Sequence, residues 1–288
     1  MSYERKTKMK KIIALLLALV MVFALVACGG TKAPEADTGA DTDTSTDAEA
    51  GESIAGGAAE GETAGDAEAE IPEEVVVMTH DEYIAAELDT QVVVETYVQA
   101  KQGWWENTAT LYTQDKDGAY FIYNLPCSQE DYDKMTIGTK IKVTGYKAEW
   151  AGEVEIIDAT FEIMDGKYVA EAEDVTALLA DEKLIDKQNM FVSFKGMTVE
   201  AAGQDADGND VAYLYSWDGS GQEGDDLYFN VSVNGATYTF TVESYLCDSN
   251  SDVYKAVKEL KIGDTVDMEG FLYWYEGVNP HITSVTVK

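Results

Sequence analysis

The chain has 288 residues, with 20 lysines and arginines against 54 aspartates and glutamates, a net charge of −34 at pH 7. That length suits two domains of ordinary size plus a leader, and three cysteines are too few to frame a disulfide-stapled fold. A field of this sign repels phosphate backbones and attracts cations and basic partners, so nucleic acid is expected to be no partner.

The first element is a leader over residues 1–27. Arg5, Lys6, Lys8, Lys10 and Lys11 precede an unbroken apolar run, Ile12 to Ala27, that ends at Cys28-Gly29-Gly30. Its 16 residues fall short of the roughly 20 needed to cross the hydrocarbon core, so it reads as a signal peptide. Leu25-Val26-Ala27-Cys28 resembles the lipobox of bacterial lipoproteins. The resemblance implies that Cys28 becomes the diacylglyceryl-modified first residue, which tethers the protein to the extracytoplasmic face of the cell membrane. Residues 28–73 then run in Gly, Ala, Thr, Asp and Glu, with too few large apolar side chains for a core. Their like charges predict a disordered, extended acidic linker.

A first folded unit is expected over 74–166. It opens with a helical stretch at His80 to Leu88, followed by strands at Gln91 to Ala100, Thr108 to Gln114 and Ala119 to Leu125, where β-branched and aromatic residues recur at strand spacing. Asp115 to Gly118 reads as a hairpin turn. Ser128 and Asp131 cap a short helix through Met135, Gly138 stops it, and two strands, Lys140 to Tyr146 and Glu153 to Ile163, close the unit.

A second unit is expected over 167–288, joined through a helix-like acidic segment at Glu173 to Lys187. Residues Ile137 to Ile163 recur 125 positions later as Ile262 to Lys288, with Gly138, Gly145 and Gly152 in step with Gly263, Gly270 and Gly277. The repeat predicts strands at Asn189 to Glu200, Leu227 to Val233, Thr237 to Val242, Thr265 to Phe271 and His281 to Val287, with a helix at Asp252 to Leu260. A long Asp- and Gly-rich insertion, Ala202 to Asp226, follows the first of these strands.

Five strands with a helix between the third and fourth is the order of the OB-fold. The fold class expected is therefore all-β with short helices: two tandem five-stranded Greek-key barrels after the linker. On the shared pattern I-G-x-x-[IV]-x-[VM]-x-G-[YF], the chain resembles OB-fold lipoproteins of Gram-positive bacteria, related in pattern to the anticodon-binding-like OB families.

In OB-folds, ligands lie on the face of the second and third strands, between the loops that join strands one to two and four to five. Trp104 and Trp105 fall in the first such loop of unit one and Trp150 in the second. In unit two, Trp217 lies in the insertion, while Trp274 and Tyr275 occupy the loop matching Trp150. These six are the candidate ligand-binding residues, able to stack on sugar rings beside acids such as Glu106 and Glu149; the alternative is that each ring caps an open barrel end.

No catalytic residue, metal ligand or cofactor site is expected. His80 and His281 lack recognisable partners, and Asp205 to Asp210 departs from the EF-hand pattern and reads as a polar turn. Cys127 and Cys247 read as buried thiols, because an interdomain disulfide would need a Cα approach of roughly 6 Å that equivalent points of tandem domains seldom make.

The expected function is a membrane-anchored binding module for a glycan or a basic protein, and not an enzyme. A structural subunit of an envelope complex is the alternative. A secreted hydrolase is the third reading, and it requires a cleft with paired carboxylates.

Overall fold

In the computed structural model residues 76–288 are described; the leader, Cys28 and the linker to residue 73 lie outside them. Helix α1 (His80–Ala85) opens on a capping box, with the Glu82 N–H donating to Thr79 Oγ1 at 3.3 Å and the Thr79 N–H to the Glu82 carboxylate at 2.8 Å. It ends before the expected Leu88, at an extended Ala86. The Lys147 ammonium donates to the carbonyls of Tyr83, Ile84 and Ala86 at 2.7–2.9 Å, which satisfies the oxygens left at the helix end.

Strands β1 (Gln91–Lys101), β2 (Thr108–Gln114), β3 (Ala119–Pro126), β4 (Thr139–Trp150) and β5 (Glu153–Lys167) close a barrel in the order β1-β2-β3-β5-β4, with helix α2 (Gln129–Lys134) between β3 and β4. All pairs are antiparallel except β3 with β5. Alternate residues point inward: Val92, Val94, Val98, Leu111, Ile122, Ile141, Val143 and Ile156 fill the core, and Met135 at the end of α2 plugs it.

A short β6 (Glu173–Asp174) pairs in parallel with β7 (Phe191–Glu200). The helix-like linker expected over Glu173 to Lys187 is therefore corrected to this strand pair and two 3₁₀ turns, Thr176–Leu178 and Glu182–Lys187. The sheet edge takes up the backbone of Glu173 and Asp174, and the Asp174 carboxylate accepts the Thr176 N–H at 3.0 Å, favouring a turn over a helix.

The insertion carries a short hairpin of two-residue strands, β8 (Gly203–Gln204) with β9 (Asp210–Val211), and β10 (Tyr213–Tyr215) on the edge of β11 (Leu227–Val233). Within the hairpin turn the Asp205 carboxylate accepts the N–H groups of Asp207 and Asn209 at 2.9 and 2.8 Å.

Strands β7, β11, β12 (Ala236–Val242), β14 (His281–Val287) and β13 (Thr265–Phe271) close the second barrel, again with one parallel pair, β12 with β14. Helix α3 (Asp252–Lys258), capped by Ser251, sends Val253, Tyr254 and Val257 into a core built on Phe194, Phe229 and Phe240. The described chain is thus two five-stranded OB barrels in tandem.

Two repeated glycine pairs explain why the period shows in the sequence. Gly138 and Gly263 have φ of 86° and 93°, and their N–H groups donate to the Val98 and Val199 carbonyls at 2.7 and 2.8 Å, tying each helix exit to the first strand of its barrel. Gly145 and Gly270 sit where β4 and β13 slip register against their closing strands. A Cβ at Gly145 would lie 2.8 Å from the Ile157 carbonyl oxygen, and one at Gly270 would fall on the His281 carbonyl oxygen. Each barrel turns its corner at a backbone approach that admits no side chain.

Cys127 and Cys247 are both free thiols; Cys127 is buried in the first core and Cys247 packs partly buried against the second.

Candidate ligand-binding cleft

The outward face of β2 and β3 is not left to solvent. Tyr112 and Phe121 point away from the first core and meet Phe271 of the second barrel, with Phe191, Leu246 and Tyr273 packed around them. Ring centroids of Tyr112 lie 5.0 Å from Phe121 and 4.6 Å from Phe271. This apolar contact holds the barrels side by side, and polar bonds flank it. Gln102 Nε2 donates to both Glu243 oxygens at 2.8 and 3.0 Å, the Phe191 N–H donates to Gln114 Oε1 at 2.7 Å, and the Gly103 N–H to the Tyr245 carbonyl at 2.9 Å.

Beside this contact a cleft of about 870 Å³ opens between the barrels. Trp105, Tyr123, Trp150 and Tyr245 line its walls, while Glu155, Glu243, Tyr273 and His281 add the polar groups. Trp105 is 72% exposed, Trp150 62% and Tyr245 74%, so the cleft presents three flat rings to solvent. Its lining contains two carboxylates and neither lysine nor arginine.

The cleft floor is electrically unusual for so acidic a chain. Burial pushes the Glu243 carboxyl up to about 8, and nearby Asp226 adds to the rise. Burial lowers the His281 imidazole to about 3, so it is neutral at physiological pH. His281 Nδ1 lies 2.6 Å from the Tyr112 hydroxyl, and its ring stacks on Tyr273 with centroids 4.2 Å apart. Glu155, partly buried on β5, is also raised by burial. At neutral pH Glu243 can therefore donate as well as accept a hydrogen bond, beside an uncharged His281.

The six rings singled out in the sequence divide. Trp105 and Trp150 meet at one cleft, although 45 residues separate them, because the β1–β2 and β4–β5 loops are neighbours in this barrel. Trp104 turns the other way: it packs partly buried against the first core, and its indole N–H donates to the Cys127 carbonyl at 3.1 Å. Trp274 packs against the second core, Tyr275 is exposed, and Trp217 projects from the insertion; none of these three lines the cleft. Glu106 and Glu149 are exposed and also outside the lining, where Glu155 and Glu243 stand in their place. Nothing local in the sequence marks Glu243 or Tyr245, which reach the site through the second barrel.

No protein-family model matches the chain, and no curated protein matches it. Among solved structures it is similar to a murine DNA-binding protein bound with double-stranded DNA, at 9% identity and a TM-score of 0.31 over 68% of this chain and 94% of that one. The Ifi202 HINa domain in complex with double-stranded DNA matches at 11% identity and 0.29 over 70% and 96%. A deletion mutant of the single-stranded DNA-binding protein from Thermus aquaticus matches at 13% identity and 0.22 over 69% and 93%. The likeness is one of fold and names no ligand for this chain.

The exclusion of nucleic acid drawn from net charge is corrected here, since the solved structures the chain is similar to include proteins described as binding DNA. That exclusion summed charge over the whole sequence. Counterion release depends instead on the charge along the groove a strand would occupy.

Proposed function

We propose that this chain is a lipid-anchored extracytoplasmic binding module whose inter-barrel cleft takes a neutral glycan. The carrying observation is the pairing of exposed rings, Trp105 and Trp150, with carboxyl groups at Glu155 and Glu243 on one concave surface. Sugar rings stack their C–H faces on indole while their hydroxyls bond to carboxyl and phenol groups, and such clefts commonly combine apolar walls with a few polar groups. The acidic stretch before the first barrel serves as the tether, and Cys28 as the anchor.

Two tests separate the parts of this reading. Calorimetric titration with chitohexaose should give micromolar binding, whereas saturable binding of a single-stranded oligothymidine and none of the sugar would move the ligand class to nucleic acid. Cys28→Ala should shift the protein from the membrane fraction to the soluble one; a variant that remains membrane-bound would refute the anchor.

A hydrolase is the second reading, favoured by the two carboxylates in the cleft. Prolonged incubation with chitohexaose decides it, since a binder returns the oligosaccharide intact and a hydrolase shortens it.

A further inference from the structure

Glu153 opens β5 of the first barrel and is fully buried. Its carboxyl reaches across to the second half: the Trp274 backbone N–H donates to Oε2 at 2.8 Å, and Gln188 Nε2 donates to the same oxygen at 3.1 Å. Asn189, next in sequence to Gln188, bonds to the same strand, its amide Nδ2 donating to the Val154 carbonyl at 3.1 Å. Glu153 Oε1 and Asn189 Oδ1 are buried without a hydrogen-bond partner, as is the Tyr83 hydroxyl. Oε1 thus lacks the donor that a buried ionised carboxylate requires. A neutral carboxyl with its hydrogen on Oε1 supplies a donor where an ionised one supplies none.

We propose that Glu153 is a proton-operated clamp between the barrels: its neutral carboxyl seals their interface, and its ionisation loosens that interface and the cleft beside it. Gating of the ligand rests on the cleft being the binding site; the clamp itself does not.

The surroundings fit a group that stays neutral. Burial raises Glu153 to about 8 despite the bonds from Trp274 and Gln188, and Glu155 on the same strand adds to the rise. Tyr83 from α1, Tyr112 from β2 and Tyr273 from beyond β13 face it as uncharged phenols, each raised chiefly by burial. Lys147, the cation of neighbouring β4, is occupied by three carbonyls of the α1 segment. Glu243 mirrors this arrangement from the second barrel: it is bonded by Gln102 of the first, raised by burial and Asp226, and faced by neutral His281. Each barrel thus offers the other one carboxyl.

Undocking exposes these groups to water, where a glutamate ionises near 4.5 and a histidine near 6.5. Between those values and about 8 the docked state holds protons that the open state has released, so docking weakens as pH rises, and it levels off above about 8. His281 works in the opposite sense, but only below about 6.5, where the open state would protonate it. The window that isolates the carboxyls is therefore pH 6.5 to 8.5.

Hydrogen exchange on the full chain, corrected for the intrinsic rate at each pH, reads the docked population at the Phe191, Gly103 and Trp274 amides. In the unsubstituted protein their protection should fall by at least about tenfold across that window while amides inside each barrel hold theirs. Glu153→Gln carries a permanent N–H donor in place of the carboxyl proton, and it should remove about tenfold of the change; adding Glu243→Gln should flatten the rest. Unchanged protection in the unsubstituted protein or an equal fall in Glu153→Gln would each overturn the clamp. Ligand plays no part in this readout, so a failure to bind chitohexaose leaves the result intact.

Discussion

The double substitution Trp105→Ala with Trp150→Ala should abolish micromolar ligand binding while moving the melting temperature by no more than about 2 °C. Each ring stacked on a ligand contributes on the order of 1–3 kcal/mol, so removing both weakens binding by about 30-fold at the least. Both side chains are mostly exposed, and substitutions at such positions usually change stability by about 0.5 kcal/mol or less. Trp104→Ala is the internal control. Its ring packs against the first core and its indole bonds to the Cys127 carbonyl, so its loss should cost about 3 kcal/mol of stability. Binding and melting curves on the same preparations check both statements. Equal loss of stability in the Trp105/Trp150 pair would mean that those rings are structural.

The largest expected effect on folding comes from a single methyl group. Gly270→Ala drives a Cβ onto the His281 carbonyl oxygen at the register slip between β13 and β14. The clash is with backbone on the closing strand, where no flexible side chain can swing aside. We expect a cost of about 3 kcal/mol, hence a fall of roughly 10 °C in the melting temperature for a unit of this size. Gly145→Ala, whose Cβ would meet the Ile157 carbonyl at 2.8 Å and the Ala159 methyl at 2.9 Å, should follow in the same direction with a smaller drop. Thermal unfolding followed by circular dichroism decides it. A Gly270→Ala protein as stable as its parent would show that the bulge can open, and that the glycine period has another origin.

Those glycines also explain how much of the fold was legible. Turns, caps and corner glycines are local devices, so Gly138 with Gly263 and Gly145 with Gly270 write the barrel into the sequence twice, in step. The Glu173 to Lys187 segment misled because its composition suits a helix, whereas the free edge of β7 offered its backbone a parallel partner.

The site was only half legible. Loop positions in the OB pattern bring Trp105 and Trp150 together, but adjacent tryptophans in Gly103-Trp104-Trp105-Glu106 give no sign of which faces inward. Trp105 pairs with Thr108 in a single bridge, and that alternation sends its ring outward and Trp104 into the core. Glu243 lies 141 residues from Gln102, and only the docking of two barrels puts them in contact. Net charge misled for a related reason, since it averages over a chain whereas a cleft is described by its lining.

The chain's five tryptophans permit the most direct test of the cleft as the binding surface. Indole N–H resonances, assigned by single substitution and followed by NMR during titration with chitohexaose, report on each ring separately. The cleft assignment requires the Trp105 and Trp150 signals to shift together and saturate at one affinity, while those of Trp104, Trp217 and Trp274 stay close to their starting positions. A saturable shift of Trp217 with Trp105 and Trp150 unmoved would contradict it, and would place the functional surface on the insertion of the second barrel.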